Sequence, residues 1–485
     1  MKKYVLILLA TSTGWVAQAQ QKWSLQKMVD HAMQNNISVK QADVQTRVQA
    51  LALKQAKYNQ LPNASFNPSI GMQNGRSIDP TTNQFTTTQL LFNSFQIQGG
   101  MQVFNFGQIK NNIAFNALQT QAAMADKQRA ANDIALQVCN FYLQVLAANE
   151  QMRINDVQIK NTANQIAFTK KRVDAGNLPE LNLAELEAQL ANDSVVYFNG
   201  KAIYEQNVLS LKALLNLDMA EPFDIEIPDP SKIPVESLMD LQPQYVYQLA
   251  MGNQPQQIAD SLRILAAHKN IKATKAGYYP NLNVGYNLAT NFAQSLRAID
   301  FNSVQLTGTQ TTSQFVEING SPVFVKQPTF SFNQYRRNFS QWWDGWRNQM
   351  DNNFRQSIFV GLSVPIFNST GNVRIAMDRA KLDLQSNELR KQQNLNLLQQ
   401  NVYNAYVAAK NSFDRFTAAQ KSVQSAQKAY EMAQKRYDVG MLTVLELTTN
   451  QNNLTRAQIQ QLNNQYDYIF KMKVLEFYKG QGLKL

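Results

Sequence analysis

The chain has 485 residues, of which 44% are hydrophobic and 16% are charged, and its formal net charge is +12. Its lysines and arginines are spread along helical stretches without a cluster, which argues against a nucleic-acid partner. The single cysteine, Cys139, excludes disulfides within one chain and fits a small buried apolar residue.

The N-terminus has the pattern of an export signal. Two lysines precede an apolar run from Tyr4 to Ala10, and Ala17-Gln18-Ala19 has the small-x-small form of a signal-peptidase site. We therefore expect a signal peptide at 1–19 and an exported mature protein. After the signal there is no run of 18 apolar residues, so no helical membrane span is predicted. A soluble periplasmic protein or an outer-membrane β-barrel remains.

Four stretches alternate between apolar and small polar residues, which is the period of a β-strand. Each has about the length that crosses a bilayer when tilted. In a soluble sandwich the apolar face would form the core, whereas in an outer-membrane barrel it would face lipid and the polar face would line water. The stretches are 64–72, 95–103, 282–288 and 358–366.

Two very long helices are predicted, because neither 108–175 nor 372–439 contains a glycine or a proline. At 1.5 Å per residue each would be roughly 100 Å long. A glycine turn ends each stretch, and a second helical pattern follows to about Asn216 and to about Tyr478, so each half contains an antiparallel helical hairpin. The two turns are nearly the same in sequence: KRVDAGNLPEL from Lys171 matches KRYDVGMLTVL from Lys435.

The chain is therefore read as a duplication, with a first repeat at 20–220 and a second at 253–485. A proline-rich segment at 221–252 joins them as an ordered connector or a hinge. The second repeat has a longer loop between its strands, at about 290–354, which holds three tryptophans. These tryptophans belong either to an interfacial belt or to a small apolar core of the loop.

Four strands leave two open edges, and a sheet cannot leave backbone groups unpaired inside a membrane. Copies must therefore combine: two would give about eight strands and a filled interior, three about twelve and a water-filled one. The small polar residues of the inner face favour the open, three-copy form.

Several motifs recur in the same order in both halves and carry a family resemblance. They are the signal peptide, the duplicated helix-strand-strand-helix layout, the strand-to-helix steps Phe104 to Gly107 and Phe367 to Gly371, and the turns Arg172 to Gly176 and Arg436 to Gly440. With these features the whole mature chain resembles the TolC family of outer-membrane efflux proteins.

The resemblance implies an α+β membrane protein that forms a homotrimer, with a 12-stranded β-barrel in the outer membrane, a long α-helical barrel in the periplasm and an equatorial region. It further implies that periplasmic adaptor proteins of tripartite pumps dock on the two turns. The docking residues carried over are Arg172, Ala175, Gly176, Asn177, Leu178, Arg436, Val439, Gly440, Met441 and Leu442.

The resemblance also implies a periplasmic gate, formed by Tyr437 and Glu446. Three copies of Glu446 around a narrow aperture would attract cations and repel anions. The chain departs from the family pattern at Leu442, where a basic residue can stand, and at Asn182 and Thr449, where carboxylates can.

The predicted function is passive conduction of substrates that an inner-membrane pump exports through a periplasmic adaptor. The alternatives are a type I protein-secretion channel, a stand-alone porin and a periplasmic structural scaffold. An enzyme is not expected, because there is no nucleophile motif, metal-ligand spacing or phosphate loop, and no cofactor is predicted. The expected partners are the second and third copies, the adaptor, the pump indirectly and outer-membrane lipid.

Overall fold

The computed structural model describes residues 22–78, 85–228, 233–367 and 369–481. The first half of the chain supplies two short helices, two strands and two long helices. In order these are α1 (Leu25–Asn35), α2 (Ile37–Tyr58), β1 (Asn63–Ile78), β2 (Phe85–Phe104), α3 (Gln108–Asp174) and α4 (Glu180–Leu215).

The second half repeats this order with an insertion between its two main strands. Its helices are α5 (Pro243–Asn253), α6 (Pro255–Lys275), the short α7 (Trp346–Asn352), α8 (Ser369–Asp438) and α9 (Val444–Lys479). Its strands are β3 (Asn281–Ser295), β4 (Arg297–Ile299), β5 (Gln305–Ile318), β6 (Ser321–Ser331), β7 (Gln334–Arg336) and β8 (Arg355–Ser363).

The two long helices confirm the prediction from missing glycine and proline. Helix α3 has 67 residues and α8 has 70, so each is roughly 100 Å long. No helix of the described residues is both long enough and apolar enough to cross a bilayer.

Contacts divide the described chain into two compact units. The first holds the residues up to Leu53, Ala114–Lys269 and those from Lys381 onward, and the second holds Lys54–Ile113 and Asn270–Ala380. The first unit contains the main hydrophobic core, in which the middle of α3 packs against α1, the end of α4, the connector and α9. Cys139 is buried in this core, and desolvation raises the pKa of its thiol to about 12.

The second unit is built on a four-stranded antiparallel sheet with the order β1-β2-β3-β8. Its register places the apolar residues of neighbouring strands opposite each other: Phe66 faces Ile97, and Val284 faces both Met101 and Val360. One face of the sheet is therefore apolar across all four strands. This confirms the predicted alternation, and it leaves β1 and β8 as the two edges.

The structure corrects the predicted extent of all four strands. In the first half β1 continues to Ile78, beyond the expected end at residue 72, and β2 starts at Phe85, before the expected start at residue 95. Strand β3 continues to Ser295, beyond the expected end at residue 288, while β8 ends at Ser363, before the expected 366. Strand β8 ends at Ser363 because its one partner in the sheet, β3, begins at Asn281, which lies opposite Ser363.

The expected loop at about 290–354 also has strands of its own. Strands β5 and β6 form a hairpin and β4 pairs with β7, so this segment is not a simple loop. Its tryptophans Trp342 and Trp343 pack against a small apolar cluster around Phe292, and the ring centroids of Trp343 and Phe292 are 5.9 Å apart. For these two tryptophans the core alternative is confirmed.

The proline-rich connector is ordered on both sides of its undescribed residues 229–232. The Tyr142 hydroxyl donates to the carbonyl oxygen of Glu226 at 2.8 Å, and Glu236 forms an ion pair of 2.9 Å with Lys479. The ion pair lowers the pKa of Glu236 and raises that of Lys479. The last part of the predicted connector is helical, because Pro243 starts α5, where proline needs no backbone donor.

Candidate functional site: the two helical turns

The first turn connects α3 to α4 and has a glycine with a positive φ angle. Gly176 has φ +75°, a conformation that only glycine adopts without steric cost. The Asn177 amide donates to the carbonyl oxygen of Arg172 at 2.8 Å, and the Gly176 amide donates to that of Val173 at 2.8 Å. These two bonds form a Schellman motif, which pairs the last carbonyl groups of the helix.

The second turn connects α8 to α9 and repeats the same backbone geometry. Gly440 has φ +77°. The Met441 amide donates to the carbonyl oxygen of Arg436 at 2.8 Å, and the Gly440 amide donates to that of Tyr437 at 3.0 Å. The repeated sequence therefore encodes a repeated, rigid turn.

The residues at the apex of both turns are exposed. In the second turn the large apolar side chains of Val439 and Met441 are 68% and 72% exposed. Leu178 and Arg172 are half-buried, and Leu442 is half-buried against a small apolar cluster. The other predicted docking residues lie in the exposed part of the turns: Ala175, Gly176, Asn177, Arg436 and Gly440.

Tyr437, one of the two predicted gate residues, is buried and connects α8 to α3. Its side chain is 2% exposed, and its hydroxyl is hydrogen bonded to that of Thr169 at 2.7 Å. The Arg172 guanidinium donates to the backbone carbonyl oxygen of Tyr437 at 3.4 Å and lies over the Phe168 ring. Residues from the two halves of the duplication thus meet beside the turns.

An apolar cluster surrounds Tyr437 and holds the helices of the second turn together. It contains Ala433 from α8, Leu186 from α4, and Val444 and Leu447 from the start of α9. Burial of these side chains fixes the position of the second turn relative to α4.

Glu446, the other predicted gate residue, is exposed and caps the start of α9. Its carboxylate accepts hydrogen bonds from the backbone amide and the hydroxyl of Thr443, at 3.1 and 2.9 Å, while its own amide donates to that hydroxyl at 3.3 Å. This reciprocal pair is a capping box, and its hydrogen bonds lower the pKa of Glu446. The Thr-x-x-Glu spacing was a sequence signal of this role.

Beyond the turns, α3 carries a column of buried polar residues that the sequence analysis missed. Thr162 donates to the Asp193 carboxylate of α4 at 2.7 Å, and Thr455 of α9 donates to Gln158 at 2.8 Å. Two amide atoms, Gln158 Nε2 and Gln165 Oε1, are buried without a partner. The sequence signal for this column is the spacing of three and four residues, which places side chains on one face of a helix. The buried polar residues with this spacing are Asn155, Gln158, Thr162, Gln165 and Thr169.

A cavity of about 360 Å³ lies beside this column, between α3, α4 and α9. Half of the residues that line it are Asn or Gln, and Asp193 and Arg456 are the charged groups. Among the described residues no group of three or more histidine, cysteine or acidic side chains could hold a metal ion.

Comparisons with known proteins bear on this architecture. The family model described as "Outer membrane efflux protein" matches residues 28–217 and 328–478, which together are well over half of the chain. Among curated proteins none matches the chain by sequence.

Solved outer-membrane channels have the same fold at low sequence identity. The outer membrane protein VceC of Vibrio cholerae is 14% identical with a TM-score of 0.69, and the match covers 95% of this chain and 97% of that one. The CmeC outer membrane channel of Campylobacter jejuni is 17% identical, with a TM-score of 0.66 and coverage of 95% and 86%. The MtrE outer membrane channel of Neisseria gonorrhoeae, solved in its open state, is 16% identical, with a TM-score of 0.66 and coverage of 94% and 88%.

The family match and the structural matches agree with the helices, the sheet and the duplicated order found here. The predicted outer-membrane location and the predicted role in efflux are confirmed. The chain belongs to the outer membrane efflux protein family.

Proposed function

We propose that the protein is a channel-tunnel through which an inner-membrane pump exports its substrates, delivered by a periplasmic adaptor. The main support for this function is the pair of exposed turns at Gly176 and Gly440, which have the same backbone geometry. The protein conducts passively and catalyses no reaction. The pump supplies the energy and selects the substrate.

Three copies form the channel in this proposal. The sheet supports it, because edge strands β1 and β8 leave a row of backbone groups that need partners inside a membrane. Three sheets close a 12-stranded barrel, wide enough for water, and the long helices form a helical barrel. The apolar face of each sheet contacts lipid, and the face with Asn, Ser and Gln lines the channel.

The adaptor docks on the turns. Their support for this role is the exposure of Val439 and Met441 on a backbone that two Schellman bonds hold in place. A rigid apolar surface loses little conformational entropy when a partner covers it. Because both turns have the same backbone, one kind of adaptor surface fits each of them.

The gate consists of Tyr437 and Glu446. The Thr169–Tyr437 hydrogen bond and the Arg172 contact link α8 to α3, so loss of these bonds frees α8 to move. The Glu446 carboxylate stays ionised at neutral pH, since its pKa is lowered, and three copies place three negative charges around the aperture.

The docking proposal is tested with charged substitutions at the apex. We expect Val439→Asp and Met441→Asp to abolish export, measured as drug susceptibility and substrate accumulation in cells, and to prevent cross-linking to the adaptor. Met432→Asp is the matched control, because Met432 is 65% exposed on α8 but lies outside the turn.

The assembly of each variant is measured by light scattering of the detergent-extracted protein. Lost export with three copies still assembled supports adaptor docking. Export that continues in both apex variants contradicts it and indicates a stand-alone channel.

A further inference from the structure

Two aromatic side chains lie on the mainly polar face of the four-stranded sheet. We call polar face the side that carries Asn67 and Gln96, which are opposite each other on β1 and β2. Alternate residues of a strand and opposed residues of neighbouring strands share a side, so the register places Phe92 and Phe359 on the polar face as well. Leu90 is also on this face, but it is only 2% exposed. The two rings are therefore the large apolar groups that this face presents.

The ring of Phe359 extends over a glycine of the neighbouring strand. Phe359 is opposite Gly285, and a Cβ atom at Gly285 would be 2.2 Å from Cζ of the ring, so a larger residue there would displace the ring. The next residue in this cross-strand row is Gly100 of β2, which is opposite Gly285 on its other side. The two glycines thus form the floor of a shallow groove, and Phe359, which is 57% exposed, forms its aromatic side.

Phe92 repeats this arrangement farther along the sheet. Its ring extends over Gly71 of β1, where a Cβ atom would be 2.5 Å from Cζ of the ring, and its neighbour on β3 is the small Ala293. Ala293 follows Gly285 on β3 at a distance of roughly 26 Å, at 3.3 Å per residue. The polar face therefore presents two aromatic rings at two levels, each beside small residues that leave it accessible.

The charge of the polar face also bears on what it can contact. The strands β1, β2, β3 and β8 contain no aspartate and no glutamate. The charged residue on the polar face is Arg355, whose guanidinium donates to the side-chain oxygen of Asn291 at 3.3 Å. The face therefore combines amides, hydroxyls and aromatic rings with a positive charge, and it does not repel an acidic molecule.

We propose that Phe359 and Phe92 are contact points for substrates that carry a flat aromatic ring. The inference rests on the channel under "Proposed function", in which the polar face lines water, and it names the substrate class and the residues that contact it. A flat aromatic ring stacks on a phenylalanine ring and not on amides or hydroxyls, and stacking removes apolar surface from water. One exposed ring at each level holds a substrate weakly, so the substrate can leave again, as conduction requires.

Cysteine labelling beside the ring tests the contact at Phe359. Ser357→Cys places a thiol on the polar face of β8, two positions from Phe359, and the only natural cysteine, Cys139, is buried. The reagent is a sulfonated maleimide applied to outer-membrane vesicles. We expect naphthalenesulfonate at saturating concentration to slow the labelling about threefold or more, which is the order of the gain from one aromatic pair. Methanesulfonate, which has the same charge and no ring, should leave the rate unchanged.

Further substitutions in the Ser357→Cys chain separate contact with the ring from stability of the sheet. Phe359→Ser should remove the protection, whereas Phe359→Trp should retain it. Gly285→Ala should weaken the protection, because the added Cβ displaces the ring without removing it. Ile358→Ala is the matched control, since Ile358 is the adjacent residue on the opposite face and is 80% exposed, and it should leave the protection unchanged.

Phe92 is tested in the same way with a thiol at the adjacent position of its own face. Ser94→Cys lies two positions from Phe92 on β2. We expect naphthalenesulfonate to slow its labelling and Phe92→Ser in the same chain to remove that protection. Labelling of Ser94→Cys at one rate with and without the probe overturns the assignment of Phe92.

The outcomes distinguish failure of this inference from failure of the proposed channel. If Ser357→Cys reacts at the same rate with and without naphthalenesulfonate, or if the protection persists with Phe359→Ser, the aromatic contact at Phe359 is overturned while the channel stands. Ile358→Cys, on the apolar face, should react much more slowly than Ser357→Cys without any probe. If it reacts as fast or faster, the polar face does not line water, and the proposed channel is overturned together with the inference.

Discussion

The two helical turns have one backbone and different surroundings. Both end in a Schellman motif with glycine near φ +76°, as the repeated sequence predicts. In the second turn Tyr437 is buried and Thr443 forms a capping box with Glu446. The counterparts in the first turn are Val173, half-buried, and Pro179, which gives no side-chain cap.

After the duplication, the residues that the backbone conformation requires are the same in both turns, whereas the side chains that make contacts around them differ. Glycine is retained in both turns because no other residue fits the left-handed conformation cheaply. The side chains around it have diverged, so that the second turn holds the contacts between halves, such as the Thr169–Tyr437 bond. The partners of that bond have apolar counterparts, Ala433 and Val173.

The largest expected difference in stability between the two turns comes from their buried side chains. Tyr437→Ala should destabilise the helical region by about 3–5 kcal/mol, because it leaves a cavity in a packed cluster. Val173→Ala, at the matching position of the first turn, should cost about 1 kcal/mol or less. Denaturant unfolding followed by circular dichroism in detergent measures both. Equal losses would mean that the turns are packed alike.

Glycine substitutions test the part that the two turns share. Gly176→Ala and Gly440→Ala should each cost about 1–2 kcal/mol, because both place a side chain in the left-handed region. Gly371→Ala is the control: this glycine lies in α8 without a positive φ and with open space around it, so the change should be neutral or favourable. If the same unfolding measurement gave unequal losses of stability for the two alanine variants, the two turns would not be equivalent in their backbone requirements.

The capping box gives a smaller difference. Thr443→Ala should lower the free energy of unfolding by about 1 kcal/mol, because the Thr443 hydroxyl accepts a hydrogen bond from the Glu446 amide at the start of α9. Asn182→Ala, at the position that matches Glu446, should change stability by about 0.5 kcal/mol or less, since α4 has no side-chain cap. Comparison of their thermal midpoints decides this, and a larger loss for Asn182→Ala would contradict the capping difference.

The smallest expected effect is a local dependence on pH. Hydrogen bonds from Thr443 lower the pKa of Glu446 below its ordinary value of 4.5. Its contribution to α9 should therefore be complete above about pH 4.5 and fall as pH drops through the lower folded value. Amide hydrogen-exchange protection at 444–447, corrected for intrinsic rates, measures it.

Glu446→Gln should remove this pH dependence. A protection profile at 444–447 that is flat between pH 6 and pH 3 in the unchanged protein would refute the role of the carboxylate.

Local chemistry explains which features were predictable. The long helices followed from stretches without glycine or proline, and the sheet followed from alternation of apolar and polar residues. The extra strands at 305–331 were missed because their residues are mixed and nearly all exposed, so no clear alternation identifies them. The Thr-x-x-Glu spacing predicts the capping role of Glu446, whereas its role in a gate is implied by the family resemblance alone.

The sequence by itself determined the duplication, the helix lengths, the glycine turns and the two-faced strands, because each depends on residues close together in the chain. Only the tertiary structure decided which side chains meet across the halves. Tyr437 and Thr169 are 268 residues apart, and no local pattern sets the helix packing that brings their hydroxyls to 2.7 Å. The hydrogen bond from Asn394 of α8 to Asp260 of α6, at 2.7 Å, likewise joins segments that are far apart in the chain.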